Sequence, residues 1–162
     1  MFVDVEDDFL SSFEFKKFQS TILGNSFPWF YNDGIISPSS RGDQFTHTFY
    51  NNDGREVNSD YFPLVQPFLD QLKVQTLYRV KVNSVRKTFF HRKSGYHTDC
   101  SIPNVKTAIF YVNTCNGYTQ FKDGGKVKSV ENRIVIFDGN LEHQGVSCTN
   151  EKRRVVLNFN YV

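Results

Sequence analysis

The chain has 162 residues, 39% hydrophobic and 16% aromatic, which is enough to bury one hydrophobic core with no obvious room for a second. Its 19 basic and 17 acidic residues are scattered, so the net charge of +2 gives no strong electrostatic case for nucleic-acid binding. The 3 cysteines, an odd number at irregular spacing, argue against a disulfide scaffold and favour a reducing compartment. We expect a single domain over residues 1–162.

The amino terminus, Met1 to Asp8, is acidic rather than basic. No apolar run that follows it is long enough for a signal peptide or a membrane span. We therefore expect a cytoplasmic protein that has no membrane partner.

Residues 9–24 repeat apolar side chains at helical spacing. Either Ser11 or Ser12 can cap the start of this segment, and Gly24 lies at its far end. The pattern predicts one amphipathic helix that packs on a sheet.

A second helix is predicted over residues 61–73, where apolar side chains again recur at helical spacing. Asp60 is its candidate N-cap, and Pro63 suits its first turn. Between the two helices turn-forming residues dominate, and only residues 45–50 are typical of a short strand. Residues 1–75 therefore form a helical support with loops.

From Thr76 onward the pattern changes to short β-rich runs separated by turn residues. This organisation predicts an antiparallel sandwich or barrel behind the two helices. The predicted strands are 77–85, 87–91, 95–100, 106–113, 117–122, 126–129, 133–138, 143–148 and 153–161.

His97 and Asp99 are two residues apart, so on a strand their side chains leave the same face. Non-haem Fe(II) that must also bind a cosubstrate and O2 is typically held by two histidines and one carboxylate on one face of an octahedron. Only one histidine, His143, follows Asp99 and completes such a set. A His-x-Asp pair alone is a weak signal, and its weight comes from agreement with the order of the later elements.

The carboxy-terminal half, residues 76–162, resembles the double-stranded β-helix of Fe(II)- and 2-oxoglutarate-dependent oxygenases, particularly the prolyl-hydroxylase-like branch and related viral or bacterial proteins. The amino-terminal helices match this family only in their placement. The resemblance implies a mainly β (α+β) fold, in which a double-stranded β-helix (jelly roll) carries two N-terminal helices packed on one sheet. The motifs that carry it are, in order, His97-x-Asp99, Thr107 to Asn113, Asn116 to Phe121, Asn132 to Asp138 before His143, and Arg154 to Phe159.

The resemblance also implies which residues bind the iron and which bind the cosubstrate. His97, Asp99 and His143 are the expected catalytic Fe(II) ligands. Tyr111 matches the family tyrosine that reaches the distal carboxylate of 2-oxoglutarate. The basic residue that opens the last strand is expected to form a salt bridge with the same carboxylate, and Arg154 fits this position.

A choice between Arg153 and Arg154 remains, because a slip of one residue sends a strand side chain to the opposite face. If Arg154 faces the site, Asn158 and Asn160 face it as well, and the apolar residues between them face the helices. The opposite phase buries both amides against the helices without obvious partners, which is costly. This burial argument favours Arg154.

The first core strand alternates in the same way. Val80 and Val82 are expected to meet the helices, while Asn83 points toward the cavity, where related enzymes place a cosubstrate-binding amide. His47 and His91 have no carboxylate partner at metal spacing, so we exclude both as ligands.

The resemblance implies a dioxygenase that hydroxylates a substrate with O2 and the cosubstrate 2-oxoglutarate, and that releases succinate and CO2. A protein or peptide residue is the preferred substrate, because the resemblance is nearest the prolyl-hydroxylase-like branch and because segments 32–58 and 86–96 are expected to form a flexible rim. The basic residues Arg86, Lys87, Arg92 and Lys93 keep nucleic acid as a lesser alternative.

Two other classes of protein fit parts of the pattern. A non-catalytic jelly-roll binding or structural module explains the strands but leaves the order of His, Asp, His and Arg as coincidence. A cupin-like metalloenzyme uses the same fold and iron or another divalent metal without 2-oxoglutarate, and metal binding without 2-oxoglutarate binding would favour it.

Overall fold

The computed structural model describes residues 3–34, 42–53 and 56–162. Within them, helix α1 spans Ser12–Leu23, and helix α2 spans Gln66–Leu72 directly after a 3-10 turn at Phe62–Val65. The strands are β1 (Val3–Glu6), β2 (Phe30–Asp33), β3 (Asp43–Asn51), β4 (Glu56–Val57), β5 (Leu77–Arg86), β6 (Lys106–Tyr111), β7 (Tyr118–Phe121), β8 (Lys126–Lys128), β9 (Arg133–Asp138), β10 (His143–Val146) and β11 (Arg153–Tyr161).

The strands form a large and a small antiparallel sheet. The large sheet has the order β1-β9-β6-β11-β5-β3-β2, with β4 paired to β3, and the small sheet has the order β10-β7-β8. From β6 onward the chain passes repeatedly between the two sheets, which is the winding of a double-stranded β-helix. The predicted fold class, a jelly roll with two amino-terminal helices on one sheet, is confirmed.

The helices cover the outer face of the large sheet. Phe18 on α1 lies 5.0 Å from Phe68 on α2 between ring centroids, and Phe110 on β6 lies 4.8 Å from Phe68. Val80 and Val82 on β5 belong to the same buried cluster, as predicted. A long hydrophobic layer therefore anchors β5, β6 and β11 from outside and leaves their opposite faces free for the site.

The two helices begin differently. Ser11 is the N-cap of α1: its hydroxyl accepts a hydrogen bond from the Glu14 amide and donates one to the Glu14 carboxylate. The predicted cap at Asp60 is wrong, because the 3-10 turn begins after Tyr61, whose amide donates to the Ser59 hydroxyl. Pro63 lies in the first turn of that element, as predicted.

Two predicted strands are not regular strands. Residues 87–91 contain no strand, and residues 95–100 contain only one isolated bridge, between His97 and His143. Conversely, β1 forms on an edge of the large sheet although all its side chains are exposed. Its residues alternate, with Val3 and Val5 apolar and Asp4 and Glu6 charged, so the period-two signal of a strand was present in the sequence and was missed.

The expected rim of residues 32–58 can be compared with the structure only in part, because residues 35–41 and 54–55 lie outside the described residues. Its described portions form the ends of β2, strand β3 and strand β4. Among the described helices, none combines the length and the apolar character that crossing a bilayer requires.

Phe68→Ala is expected to lower the free energy of unfolding by about 3–5 kcal/mol, because it opens a cavity between α2 and the large sheet. Phe13→Ala is the matched control: Phe13 is 77% exposed on α1, so its loss should cost less than about 0.5 kcal/mol. Urea denaturation followed by circular dichroism measures both changes. Equal losses for the two variants would contradict the described packing.

Candidate active site

A cavity of about 640 Å³ lies between the two sheets, a volume within the usual range of small-molecule sites. Its walls come from the inner faces of β5 and β11 on the large sheet, from β10 on the small sheet, and from parts of segment 85–99. Ile109 and Val156, which belong to the buried cluster between the sheets, also line it.

Segment 93–97 joins the small sheet without forming a regular strand. The His97 amide donates to the His143 carbonyl, and the His143 amide donates to the His97 carbonyl, each at 3.0 Å. A second reciprocal contact joins Ser94 to Gly145, with the Ser94 hydroxyl accepting from the Gly145 amide. These bonds place the two histidines opposite each other, with ring centroids 4.7 Å apart.

The structure brings His97, Asp99 and His143 together at the cavity wall. Their candidate ligand atoms all lie within 4.8 Å of one another. Nε2 of His97 is 3.6 Å from Oδ1 of Asp99, and Nε2 of His143 is 3.7 Å from Oδ2 of the same carboxylate. Three donors at this spacing can share one cation, and two imidazoles with one carboxylate suit Fe(II) among other divalent ions.

The orientation of both rings is set by backbone carbonyls. Nδ1 of His97 is 3.2 Å from the Gly95 carbonyl, and Nδ1 of His143 is 2.9 Å from the Leu141 carbonyl. A carbonyl oxygen can only accept, so each Nδ1 carries the proton and each Nε2 presents its lone pair toward Asp99. A carbonyl acceptor behind the ring, on the side away from the ion, is typical of histidines that ligate a metal.

The protonation states of the cluster follow from burial and mutual attraction. Burial is the largest single effect on His97 and lowers its pKa, but the attractions of Asp99 and of the Gly95 carbonyl together outweigh burial and leave the pKa above its ordinary value. Burial is the largest effect on His143 and holds its pKa below the ordinary value. Burial raises the pKa of Asp99, but the His97 hydrogen bond and the charges of His143, Arg79 and His97 bring it to about 2. Asp99 is therefore an ionised carboxylate, the form that a cation requires.

Arg154 lies in the same cavity, 5% exposed. Its Nε donates to the Ser129 hydroxyl at 2.9 Å, and its Nη2 donates to the Thr119 hydroxyl at 3.1 Å. Among the described residues no carboxylate lies within ion-pair distance of this guanidinium. A buried cation without a counter-ion is costly, so the position favours an anionic ligand.

Gly117 gives Arg154 its space. A Cβ at this position would lie 2.7 Å from Cδ of Arg154 and 2.8 Å from the Val146 carbonyl, too close for any side chain. The glycine therefore allows the arginine stem to cross the neighbouring turn and reach the cavity.

The predicted alternation of β11 is confirmed, and it separates the two arginines. Arg153 lies on the helix side, where its Nη2 donates to the Leu23 carbonyl and its guanidinium lies 5.6 Å from the Trp29 ring centroid. Asn158 lines the cavity with Arg154, while Leu157 joins the cluster under the helices.

Tyr111 is fully buried, and its hydroxyl donates to the Thr119 hydroxyl at 2.8 Å. Thr119 lines the cavity and Tyr111 stands behind it. Direct contact between Tyr111 and a cosubstrate carboxylate therefore stays a prediction. Since the Thr119 oxygen accepts from both Tyr111 and Arg154, its own proton remains available to a ligand in the cavity.

Asn83 lines the cavity from β5, as predicted. Its Oδ1 is buried without a hydrogen-bond partner in the described part of the chain, as is Nε of Arg79, four residues earlier on the same face of β5. Buried polar atoms are rarely left unpaired in folded proteins. Both orphan atoms therefore mark this wall as one that contacts a ligand.

Sequence reasoning missed three cavity residues: Arg79, Lys81 and Thr119. Nη2 of Arg79 is 3.5 Å from Oδ1 of Asp99, so it supports the carboxylate from behind. The period-two alternation that indicated Asn83 places Arg79 and Lys81 on the same face, and this signal could have found them. Thr119 had no such signal, because its role depends on two partners far away in sequence.

His47 and His91 lie apart from the cluster, as expected. The His47 ring contacts the Pro28 carbonyl at 2.8 Å and the Ser59 hydroxyl at 2.7 Å. Nδ1 of His91 donates to the Ser147 carbonyl at 2.7 Å. Both histidines are held by local hydrogen bonds.

The fold, a double-stranded β-helix, is similar to that of solved 2-oxoglutarate-Fe(II) oxygenases. No protein-family model matches the sequence, and no curated protein is significantly similar to it. The similarity is therefore one of structure, and at the identities below it shows the shared fold alone.

Three solved structures illustrate this similarity. A prolyl-4-hydroxylase of Pseudomonas putida has a TM-score of 0.65 at 13% identity, over 98% of this chain and 91% of that one. A 2OG-Fe(II) oxygenase family protein of Burkholderia pseudomallei has a TM-score of 0.68 at 11% identity, over 98% and 84%. HygX of Streptomyces hygroscopicus, with nickel and 2-oxoglutarate bound, has a TM-score of 0.64 at 10% identity, over 98% and 82%.

Asp99→Asn should weaken divalent-metal binding by more than about 100-fold, since it replaces the charged ligand while keeping the side-chain shape. Asp4→Asn, an exposed carboxylate on edge strand β1, is the matched control and should bind metal as the wild type does. Mn(II) titration followed by electron paramagnetic resonance measures both affinities. Equal affinities of Asp99→Asn and the wild type would remove Asp99 from the site.

Proposed function

We propose that the protein is an Fe(II)- and 2-oxoglutarate-dependent dioxygenase. The observation that carries the proposal is the joint presence, in one cavity, of the His97, Asp99 and His143 cluster and of buried Arg154, which has no ion-pair partner among the described residues. A metal site alone fits many proteins, but an anion-binding guanidinium in the same cavity fits a site for a metal and a carboxylate cosubstrate together.

The donor set suits the ion. Two neutral imidazole nitrogens and one carboxylate oxygen on one side of a cation leave its other positions open to ligands from the cavity. The Nδ1 hydrogen bonds of His97 and His143 hold both rings in the ligating orientation before any ion arrives. Bound iron, with 2-oxoglutarate and O2, supplies the oxidative chemistry that hydroxylates a substrate and forms succinate and CO2.

The side chains of the cavity bind the cosubstrate and orient it. Arg154 offers a planar guanidinium to the distal carboxylate of 2-oxoglutarate, and Thr119 adds a hydroxyl proton beside it. Tyr111 supports Thr119 from behind. The open amide oxygen of Asn83 faces the same space, although the donor it would meet has to come from a protonated group or a bound water.

We propose a protein or peptide residue as the substrate. The structural similarity extends to a prolyl hydroxylase of Trichoplax adhaerens in complex with a hypoxia inducible factor peptide fragment, with a TM-score of 0.63 at 13% identity over 98% of this chain and 83% of that one. Phe89 lines the cavity and is 98% exposed, and its neighbour Phe90 is 86% exposed, so segment 86–96 offers apolar surface to a peptide. Nucleic acid is the lesser alternative, supported by the basic residues of the same segment.

We also propose that residues 1–162 act as one oxygenase domain, because the buried cluster under the helices includes residues from both halves of the chain. Cytoplasmic location stays a prediction from the 3 cysteines. The cysteines are free in the structure.

The protein reconstituted anaerobically with Fe(II) is expected to develop a weak visible charge-transfer band on addition of 2-oxoglutarate, and to form succinate when O2 is admitted. Asp99→Asn should show neither signal. Metal binding without the band or succinate would support the cupin-like alternative, and the absence of metal binding would support a non-catalytic jelly-roll module.

Arg154→Lys should weaken 2-oxoglutarate binding by roughly tenfold or more, because lysine cannot reproduce the fork that pairs with a carboxylate. Arg153→Lys is the matched control on the adjacent, helix-facing position and should leave the affinity unchanged. Titration of the charge-transfer band measures both affinities. An unchanged affinity in Arg154→Lys, or a loss confined to Arg153→Lys, would overturn the assignment.

A further inference from the structure

The cavity contains more positive charge than a metal and 2-oxoglutarate use. Arg79 and Lys81 lie on the same inner face of β5, and both line the cavity with Arg154. Arg79 contacts Asp99, but Lys81 has no ion-pair partner and no side-chain hydrogen bond among the described residues. Lys81 is therefore a partly buried ammonium without a counter-ion.

The surroundings make this ammonium unfavourable while the cavity is empty of anions. Burial lowers the pKa of Lys81, and the neighbouring Arg79 lowers it further, while Asp99 acts in the opposite direction. Asp99 is already shared by Arg79 and the two histidines. The cost of holding Lys81 here is offset once an anion enters.

The proposed cofactors do not supply that anion. The double charge of the metal and the charge of Arg154 are cancelled by Asp99 and the two carboxylates of 2-oxoglutarate. Arg79 and Lys81 then remain uncompensated, facing the space that the substrate must occupy. The surplus is positive, so an anionic group on the substrate would balance it.

Lys81 and Arg154 also lie at different positions along the strand axis of the large sheet. In the register of β5 and β11, Arg154 pairs with Val85 and Lys81 pairs with Asn158. Four residues separate Lys81 from Val85 on one strand, which is about 13 Å along its axis. The two cations are thus spaced for two different anionic groups rather than for one carboxylate.

The entrance of the cavity is positively charged, as its interior is. Lys87 and Arg92 are exposed and line the cavity mouth without an ion pair among the described residues, whereas Arg86 is paired with Asp43 at 2.6 Å. A cleft lined by one sign of charge raises the local concentration of oppositely charged ligands.

We infer that the substrate enters with an anionic group, a carboxylate or a phosphate, that binds Lys81 beside the metal centre. This inference rests on the proposed function and specifies its substrate class. In a peptide substrate the group would be the carboxylate of an acidic residue, and in a nucleotide it would be a phosphate.

The test measures anion binding to protein loaded with Ni(II) and saturating 2-oxoglutarate, a state without turnover. Propionate is the carboxylate probe, titrated by calorimetry, and methylphosphonate is the phosphate probe, followed by phosphorus NMR. At least one probe should bind the wild type and bind Lys81→Met roughly tenfold more weakly or worse, since a charged hydrogen bond is lost. Preference for one probe tells carboxylate from phosphate.

Lys16→Met, an exposed lysine on α1 outside the cavity, is the matched control and should bind the probes as the wild type does. The 2-oxoglutarate affinity of every variant is measured first, so failure of the proposed function appears before any probe is added. With 2-oxoglutarate bound, equal probe affinities of wild type and Lys81→Met would overturn the inference. A loss of 2-oxoglutarate affinity in Lys81→Met would also overturn it, because Lys81 would then serve the cosubstrate.

A second experiment measures the binding of a labelled single-stranded oligonucleotide to the same variants and to Lys87→Ala. Tight binding that is lost in Lys87→Ala but retained in Lys81→Met would show that the phosphate groups bind at the cavity entrance and not at Lys81. That result would also overturn the inference. Binding that depends on Lys81 would support it and identify the phosphate source.

Discussion

The strict alternation of side chains along β5 and β11 is the constraint on which the site depends. One face of these neighbouring strands is apolar and packs under the helices, through Val80, Val82 and Leu157. The other face presents charged and amide groups to the cavity. Because the period is two residues, the burial of the apolar face determines where every polar group points. Arg153 and Arg154 demonstrate this, since adjacent arginines have entirely different surroundings.

The metal cluster depends on a second constraint, the backbone pairing of an irregular segment with β10. Reciprocal hydrogen bonds hold His97 opposite His143 without a regular strand on both sides. Carbonyl acceptors then turn both rings so that Nε2 faces Asp99. The attraction of His97, His143 and Arg79 keeps the buried Asp99 carboxylate ionised, which is the form that binds a cation. Geometry and charge are therefore prepared before a ligand binds.

Much of this could be predicted from short-range patterns. Alternation over Arg153 to Tyr161 predicted which arginine faces the cavity, because burying Asn158 and Asn160 against helices would leave amides unpaired. The order of His97, Asp99 and His143 predicted the cluster, although residues 95–100 are not the strand that the argument assumed. Hydrophobic spacing predicted the helices, but the cap at Asp60 was wrong, since the Ser59 hydroxyl satisfies the backbone there.

The sequence by itself determined the alternating strands, the two helices, the order of the ligands and the inward face of β5, because each follows from residues close together in the chain. Only the tertiary structure decided that Thr119 stands between Tyr111 and the cavity, and that Lys81 forms no ion pair within the part of the chain that the structure describes. Both facts depend on contacts between distant segments, such as the hydrogen bond from Arg154 to Thr119. A pattern of neighbouring residues contains no information about which distant group fills the space beside a side chain.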